Sequence, residues 1–211
     1  MTAPVGPTGI AQRCTGRHGP DEELPKARFA LNVAAVRTTL LLLGRVQVEQ
    51  LAVSSVLQLH VGQRGTLSFG GGALLGGTLY AGDGQYHLGP GSTASASYSH
   101  LVLEPKGAVP FVQVSGSLAT SFAPTRAGSY VGVDLRAGVA VGWLLWSRFS
   151  PYATARAFGG PVFWRGELGG DLYHFQLGAG FVLGLPGGFD LYAECVPLGE
   201  QSVSAGVGYS F

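Results

Sequence analysis

The stretch VGVDLRAGVAVGW, residues 131–143, places Val131, Val133, Leu135, Ala137, Val139, Val141 and Trp143 on one side of an extended chain. Gly132, Asp134, Arg136, Gly138, Ala140 and Gly142 fall on the other. A period of two sustained over this length predicts a strand between two different environments, one apolar and one not. The same pattern recurs upstream, where Val112, Val114, Gly116, Leu118, Thr120 and Phe122 alternate with Gln113, Ser115, Ser117, Ala119 and Ser121. It recurs downstream, with Leu177, Ala179, Phe181, Leu183 and Leu185 set against Gln176, Gly178, Gly180 and Gly184.

Composition narrows what such strands can build. Of 211 residues only 12% are charged, while 46% are hydrophobic and 35 are glycine. An average soluble chain carries roughly 25% charged residues, so this one is short of wettable surface. Its apolar content excludes general disorder. A membrane-spanning helix needs about 18 apolar residues in a row, and the longest near-candidate, residues 137–146, is interrupted by Gly138 and Gly142. Two cysteines, Cys14 and Cys195, are too few for a disulfide scaffold. A net charge of +1 provides no field to steer nucleic acid. The class that remains is all-β: a closed, antiparallel, up-and-down transmembrane β-barrel, whose strands show lipid only every second side chain.

Ten candidate strands begin near Phe29, Val46, Thr66, Thr93, Val109, Tyr130, Tyr152, Tyr173, Phe189 and Ser202. Residues 33–43 alternate poorly and read equally as helix, and without the first pair the count falls to eight. Short inner turns are expected at residues 62–65, 105–107, 147–150 and 186–188, and longer outer loops at 81–92, 123–129 and 165–171. Residues 1–27, rich in proline, glycine and acid, read as a disordered arm, and residues 28–211 as the barrel. The start MTAPVGPTGIAQRC has neither the basic nor the apolar region of a secretory signal, so an exported protein would require a signal outside this chain.

The final stretch, SVSAGVGYSF, puts Val203, Ala205, Val207, Tyr209 and Phe211 on one face. It resembles the C-terminal targeting strand of Gram-negative outer-membrane barrels, in which a terminal Phe and an aromatic two residues earlier are read by the barrel-assembly machinery. The resemblance implies that Val207, Tyr209 and Phe211 act as an assembly signal. The stretch SPYATARAFGGPVFW at residues 150–164, followed by DLYHFQLGAG and PLGE, also resembles uncharacterised outer-membrane β-barrel-domain proteins. That resemblance implies fold and location, and it transfers no catalytic residue.

Alternation places Asp134, Arg136, Arg156 and Glu194 inside. Buried charges are normally paired, so both arginines are expected to share both acids in a structural lumenal network, with Gln113 and Gln176 nearby. Tyr80, Tyr130, Trp143, Trp146, Tyr152, Trp164, Tyr173 and Tyr209 lie near proposed turns and suit interfacial girdles. The five histidines show no metal-binding spacing, and Gly70, Gly71 and Gly72 suit strand bending better than phosphate binding. Asp171 and His174 are the nearest approach to a catalytic pair. The expectation is a monomeric outer-membrane barrel in contact with membrane lipid, structural or interactive in role. It would have no catalytic site, cofactor, metal or nucleic-acid partner. The alternatives are a small-solute pore, an enzyme acting on outer-membrane lipid, and a secreted soluble β-sandwich.

Overall fold

The computed structural model describes residues 25–42, 44–82, 84–105 and 109–211. Its strands are β1 (Ala27–Leu41), β2 (Arg45–Val61), β3 (Gly65–Ala81), β4 (Gly84–Leu88), β5 (Gly91–Leu103), β6 (Phe111–Thr125), β7 (Gly128–Gly142), β8 (Phe149–Gly159), β9 (Pro161–Trp164), β10 (Glu167–Asp171), β11 (Phe175–Gly184), β12 (Phe189–Leu198) and β13 (Gln201–Ser210). Antiparallel pairing runs through β1, β2, β3, β5, β6, β7, β8, β11, β12 and β13 and returns to β1, a ring of ten strands. The closing seam pairs Arg28 with Ser210 and continues to Arg37 opposite Gln201. At its foot Ala27 and Phe211 exchange both backbone hydrogen bonds, at 3.0 and 2.9 Å. A closed ring satisfies every ladder group without leaving an edge.

The ring narrows away from Ala27 and Phe211. The hairpin β12–β13 ends level with Arg37, whereas β1 continues to Leu41. Above the hairpin, β10 crosses to pair with β1 through Leu40 and Asp171, and β9 pairs with β7 through Phe163 and Val131. At this height the ring therefore closes through β1, β2, β3, β4, β6, β7, β9 and β10. Ten strands below become eight above; this is not the eight expected from the sequence, which set the first pair aside as helix, because β1 and β2 belong to the ring at both levels.

Several expectations are corrected. Residues 33–43 form strand as far as Leu41, not helix. Their weak alternation arises because the inward side chains Ala34, Val36 and Leu40 are themselves apolar and pack in the lumen. The expected outer loops are mostly paired backbone: β4 occupies part of 81–92, β6 and β7 leave only residues 126–127 as a turn, and β10 occupies 167–171. The register of β3 with β2 shifts at residues 74–76, while Gly70, Gly71 and Gly72 stay in register with both neighbouring strands. Of the expected arm, residues 1–27, the first 24 with Cys14 lie outside the described residues and Ala27 already belongs to β1; most of the turn at 105–107 also lies outside them.

Outside, the wall is apolar. Leu135 is 63% exposed and Val203 60%, with Leu118, Phe181, Leu191 and Val207 exposed around them. A soluble domain rarely exposes a contiguous patch of this kind. The sandwich alternative fails on topology as well, because the described strands form one sheet that closes on itself, and among the described residues no second layer covers it.

Candidate functional site: the lumen

Glycine on the inner face makes room for large side chains from the neighbouring strand. A Cβ built on Gly180 would lie 2.6 Å from the Tyr152 hydroxyl, one on Gly142 would lie 2.6 Å from the Phe111 ring, and one on Gly138 would lie 2.8 Å from Arg156 Cγ. Gly206 seats Tyr192 and Gly208 seats Arg28 in the same manner. The glycines of the alternating pattern are thus sockets, and each filled socket occupies lumen. Small side chains such as Thr93, Ser95, Ser115 and Ser117 line the space left along β5 and β6 and are half-buried.

Three ionic groups sit among these sockets. Arg156 donates through both terminal nitrogens to Glu194, at 2.7 and 2.7 Å, and the Tyr152 hydroxyl donates to the same carboxylate at 2.9 Å. Arg136 donates to Asp134 and, at 2.8 Å, to Glu200. Near the foot of the barrel Arg28 forms a bidentate pair with Asp190, with Nε donating at 2.8 Å, and also donates to Gln58 at 2.8 Å. Bidentate guanidinium–carboxylate geometry suits such burial, because it satisfies several donors and acceptors at once.

The expected single network is therefore two separate pairings. Arg136 takes Asp134 and Arg156 takes Glu194, and the arginines do not share an acid. Gln113 is buried and donates to Ser99 at 3.0 Å. Gln176 is buried with neither side-chain polar atom hydrogen-bonded among the described residues. Sequence reading missed Arg28, Asp190 and Glu200. Asp190 shares the parity of Glu194 within β12, so alternation alone could have found it. Glu200 lies in the turn between β12 and β13, where alternation carries no information.

The girdle expectation also needs correction. Tyr80, Trp143, Trp146, Tyr173 and Tyr209 are exposed on the wall or rims, but Tyr130, Tyr152 and Trp164 point inward and are buried. Their positions share the parity of inward neighbours, which outweighs their nearness to turns. Tyr209 stacks with Phe211 at 6.0 Å and packs against Phe189 at 4.9 Å, which places the C-terminal aromatics on the outer wall. Asp171 and His174 do not form a pair: Asp171 is buried inward, whereas the exposed His174 lies 3.3 Å from the Phe158 carbonyl. Among the described residues no group of three or more His, Cys, Asp or Glu could hold a metal ion.

Two apolar layers complete the interior. The lower one gathers Ala30, Leu101, Phe111, Tyr152, Val182 and Tyr192. The upper one fills the eight-stranded collar, with Leu40, Val48, Leu79, Tyr130 and Val162 all 0% exposed and Trp164 roofing them at 5%. Eight strands give an interior just wide enough for side chains to fill. Above Trp164 a cavity of about 480 Å³ opens at the rim, lined by Leu42, Arg45, Val46, Ala81 and Glu167 among others.

No protein-family model matches this chain, and no curated protein matches it either. Solved structures do. The chain is similar to the β domain of the Bordetella autotransporter BrkA, with a TM-score of 0.55 and 14% identity over 89% of this chain and 100% of that one. It is also similar to the translocator domain of the autotransporter NalP from Neisseria meningitidis, at 0.49 and 13% over 88% and 89%. An outer-membrane channel from Pseudomonas putida F1 matches at 0.49 and 10% over 92% and 99%. The chain has the fold of outer-membrane β-barrels.

Proposed function

We propose that this protein is a closed, non-conducting barrel of the bacterial outer membrane with a structural or interaction role. The observation that carries the reading is the apolar packing of the eight-stranded collar, where Leu40, Leu79, Tyr130 and Val162 leave no water-exposed surface. An ion or small polar solute crossing this layer would shed its hydration against closely packed side chains, with isolated buried polar groups such as Thr38, the Tyr130 hydroxyl and Asp171 in place of water, at a cost of several kcal/mol. The exposed apolar wall sits against lipid. Val207, Tyr209 and Phe211, all on that wall, serve the assembly machinery as a recognition signal. Lumenal acids bound to arginine keep the barrel shape rather than perform chemistry, and the protein acts as a monomer.

The test is single-channel recording in planar bilayers with the refolded full chain. The expected result is no conductance steps above background. Discrete steps would overturn the reading and favour the small-solute pore. Hydrolysis of outer-membrane lipid by the wild type, abolished in His174→Ala, would favour the enzyme alternative instead.

A further inference from the structure

Where the barrel steps from ten strands to eight, its outer wall is indented. The groove measures about 560 Å³ and crosses five strands, β12, β13, β1, β2 and β3. Two register rows build it. The lower row reads Cys195, Val203, Ala35, Leu51 and Gly76, small or apolar throughout. The upper row continues through Gln201, Arg37, Glu49 and Thr78. Both rows face outward, as the exposure of Leu51, Val203 and the Cys195 thiol shows.

A charged pair on an apolar wall requires an explanation. Arg37 comes no nearer to Glu49 than 3.4 Å, at Nε, and its side chain is 56% exposed. Glu49 is held independently by Gln47, which donates to it at 3.0 Å. Arg45 lies higher on the same outward face of β2. The upper wall of β1 and β2 thus carries two arginines against one glutamate, directly above an apolar trough.

We infer that this groove seats a single anionic phospholipid, with its phosphate on Arg37 and one acyl chain running from Ala35 across Val203 towards Cys195. The inference rests on the membrane location proposed above. Continuity with the apolar wall supplies the chain's surroundings, and the surplus of positive charge supplies the headgroup's partner. A basic side chain near a membrane surface favours anionic lipid by roughly fivefold.

The test reconstitutes the full chain in phosphatidylcholine vesicles containing a minority of phosphatidylglycerol, and counts lipid retained after mild extraction by native mass spectrometry. The wild type is expected to retain one phosphatidylglycerol. Arg37→Leu, which removes the headgroup contact, and Ala35→Phe, which fills the trough from an outward position, should each reduce retention at least roughly fivefold. Glu49→Gln should retain the lipid, because the guanidinium remains. Heat-modifiable gel mobility confirms that each variant is a folded barrel, so loss of the groove is separable from loss of the fold or of the proposed location. In a Cys14→Ser background, Cys195 should react more slowly with maleimide when phosphatidylglycerol is present, in the wild type but not in Arg37→Leu. Equal retention of the two lipids by the wild type, or retention unaffected by both variants, would overturn the inference.

Discussion

Arg28 lies over Gly208 and 5.3 Å from the centre of the Tyr192 ring, with Asp190 and Gln58 accepting from its three nitrogens. Such a site tolerates neither a missing partner nor an added atom. Breaking one side of a buried pair leaves an uncompensated charge, which costs about 3–5 kcal/mol. Arg156→Leu should therefore lower the urea midpoint of the detergent-refolded barrel markedly, and Arg156→Leu with Glu194→Leu should recover much of that loss. An unchanged midpoint in the single variant would remove the Arg156–Glu194 pair from the account. The sockets allow a sharper contrast. Gly206→Ala drives a methyl into the Tyr192 hydroxyl, while the nearest atom to a Cβ on the outward Gly116 is 3.9 Å away. Gly206→Ala should destabilise by about 1–3 kcal/mol, and Gly116→Ala should be close to neutral in the same titration.

The hairpin β12–β13 ends below the eight-stranded collar, and its tip is pinned from inside by Glu200 on Arg136. A hydrogen bond to a charged group contributes about 1.5–3 kcal/mol. Glu200→Ala should therefore speed amide hydrogen exchange in β12 and β13 while leaving β5 and β6 protected; uniform acceleration around the ring would mean that the tip is not held locally. Strands with unlike faces were the legible ones. β6, β7, β11 and β13 each separate apolar from small or polar side chains, and their orientation follows from parity alone. β1 was ambiguous because its inward Ala34, Val36 and Leu40 meet an apolar collar, so both of its faces read alike. β4 and β10 were hidden because backbone pairing requires no side-chain alternation, and their glycines suggested loops. Asp134, Arg136, Arg156 and Glu194 were found by parity, but Glu200 and the way the acids divide between the two arginines were not, since pairing across the lumen depends on strand tilt and stagger that a linear pattern does not contain.

At the scale of the molecule, the wall is an apolar ring and the lumen is stoppered in its narrower half. The stopper can be withdrawn. Alanine at Leu40, Leu79 and Trp164 together removes side chains from three strands of the collar, each large-to-small change costing about 2–5 kcal/mol. A variant that still folds should acquire conductance steps that the wild type lacks, and a folded but silent variant would place the barrier elsewhere in the lumen. The most direct measurement of the whole account is a cysteine scan along β6 from Val112 to Phe122, in a chain with Cys14 and Cys195 replaced by serine. Each site is labelled with bimane and the protein is reconstituted in brominated lipid. The account predicts quenching with a period of two, strong at Val112, Val114, Leu118 and Phe122 and weak at Gln113, Ser115, Ser117 and Ser121. Uniform quenching, or strong quenching at the second set, would contradict it.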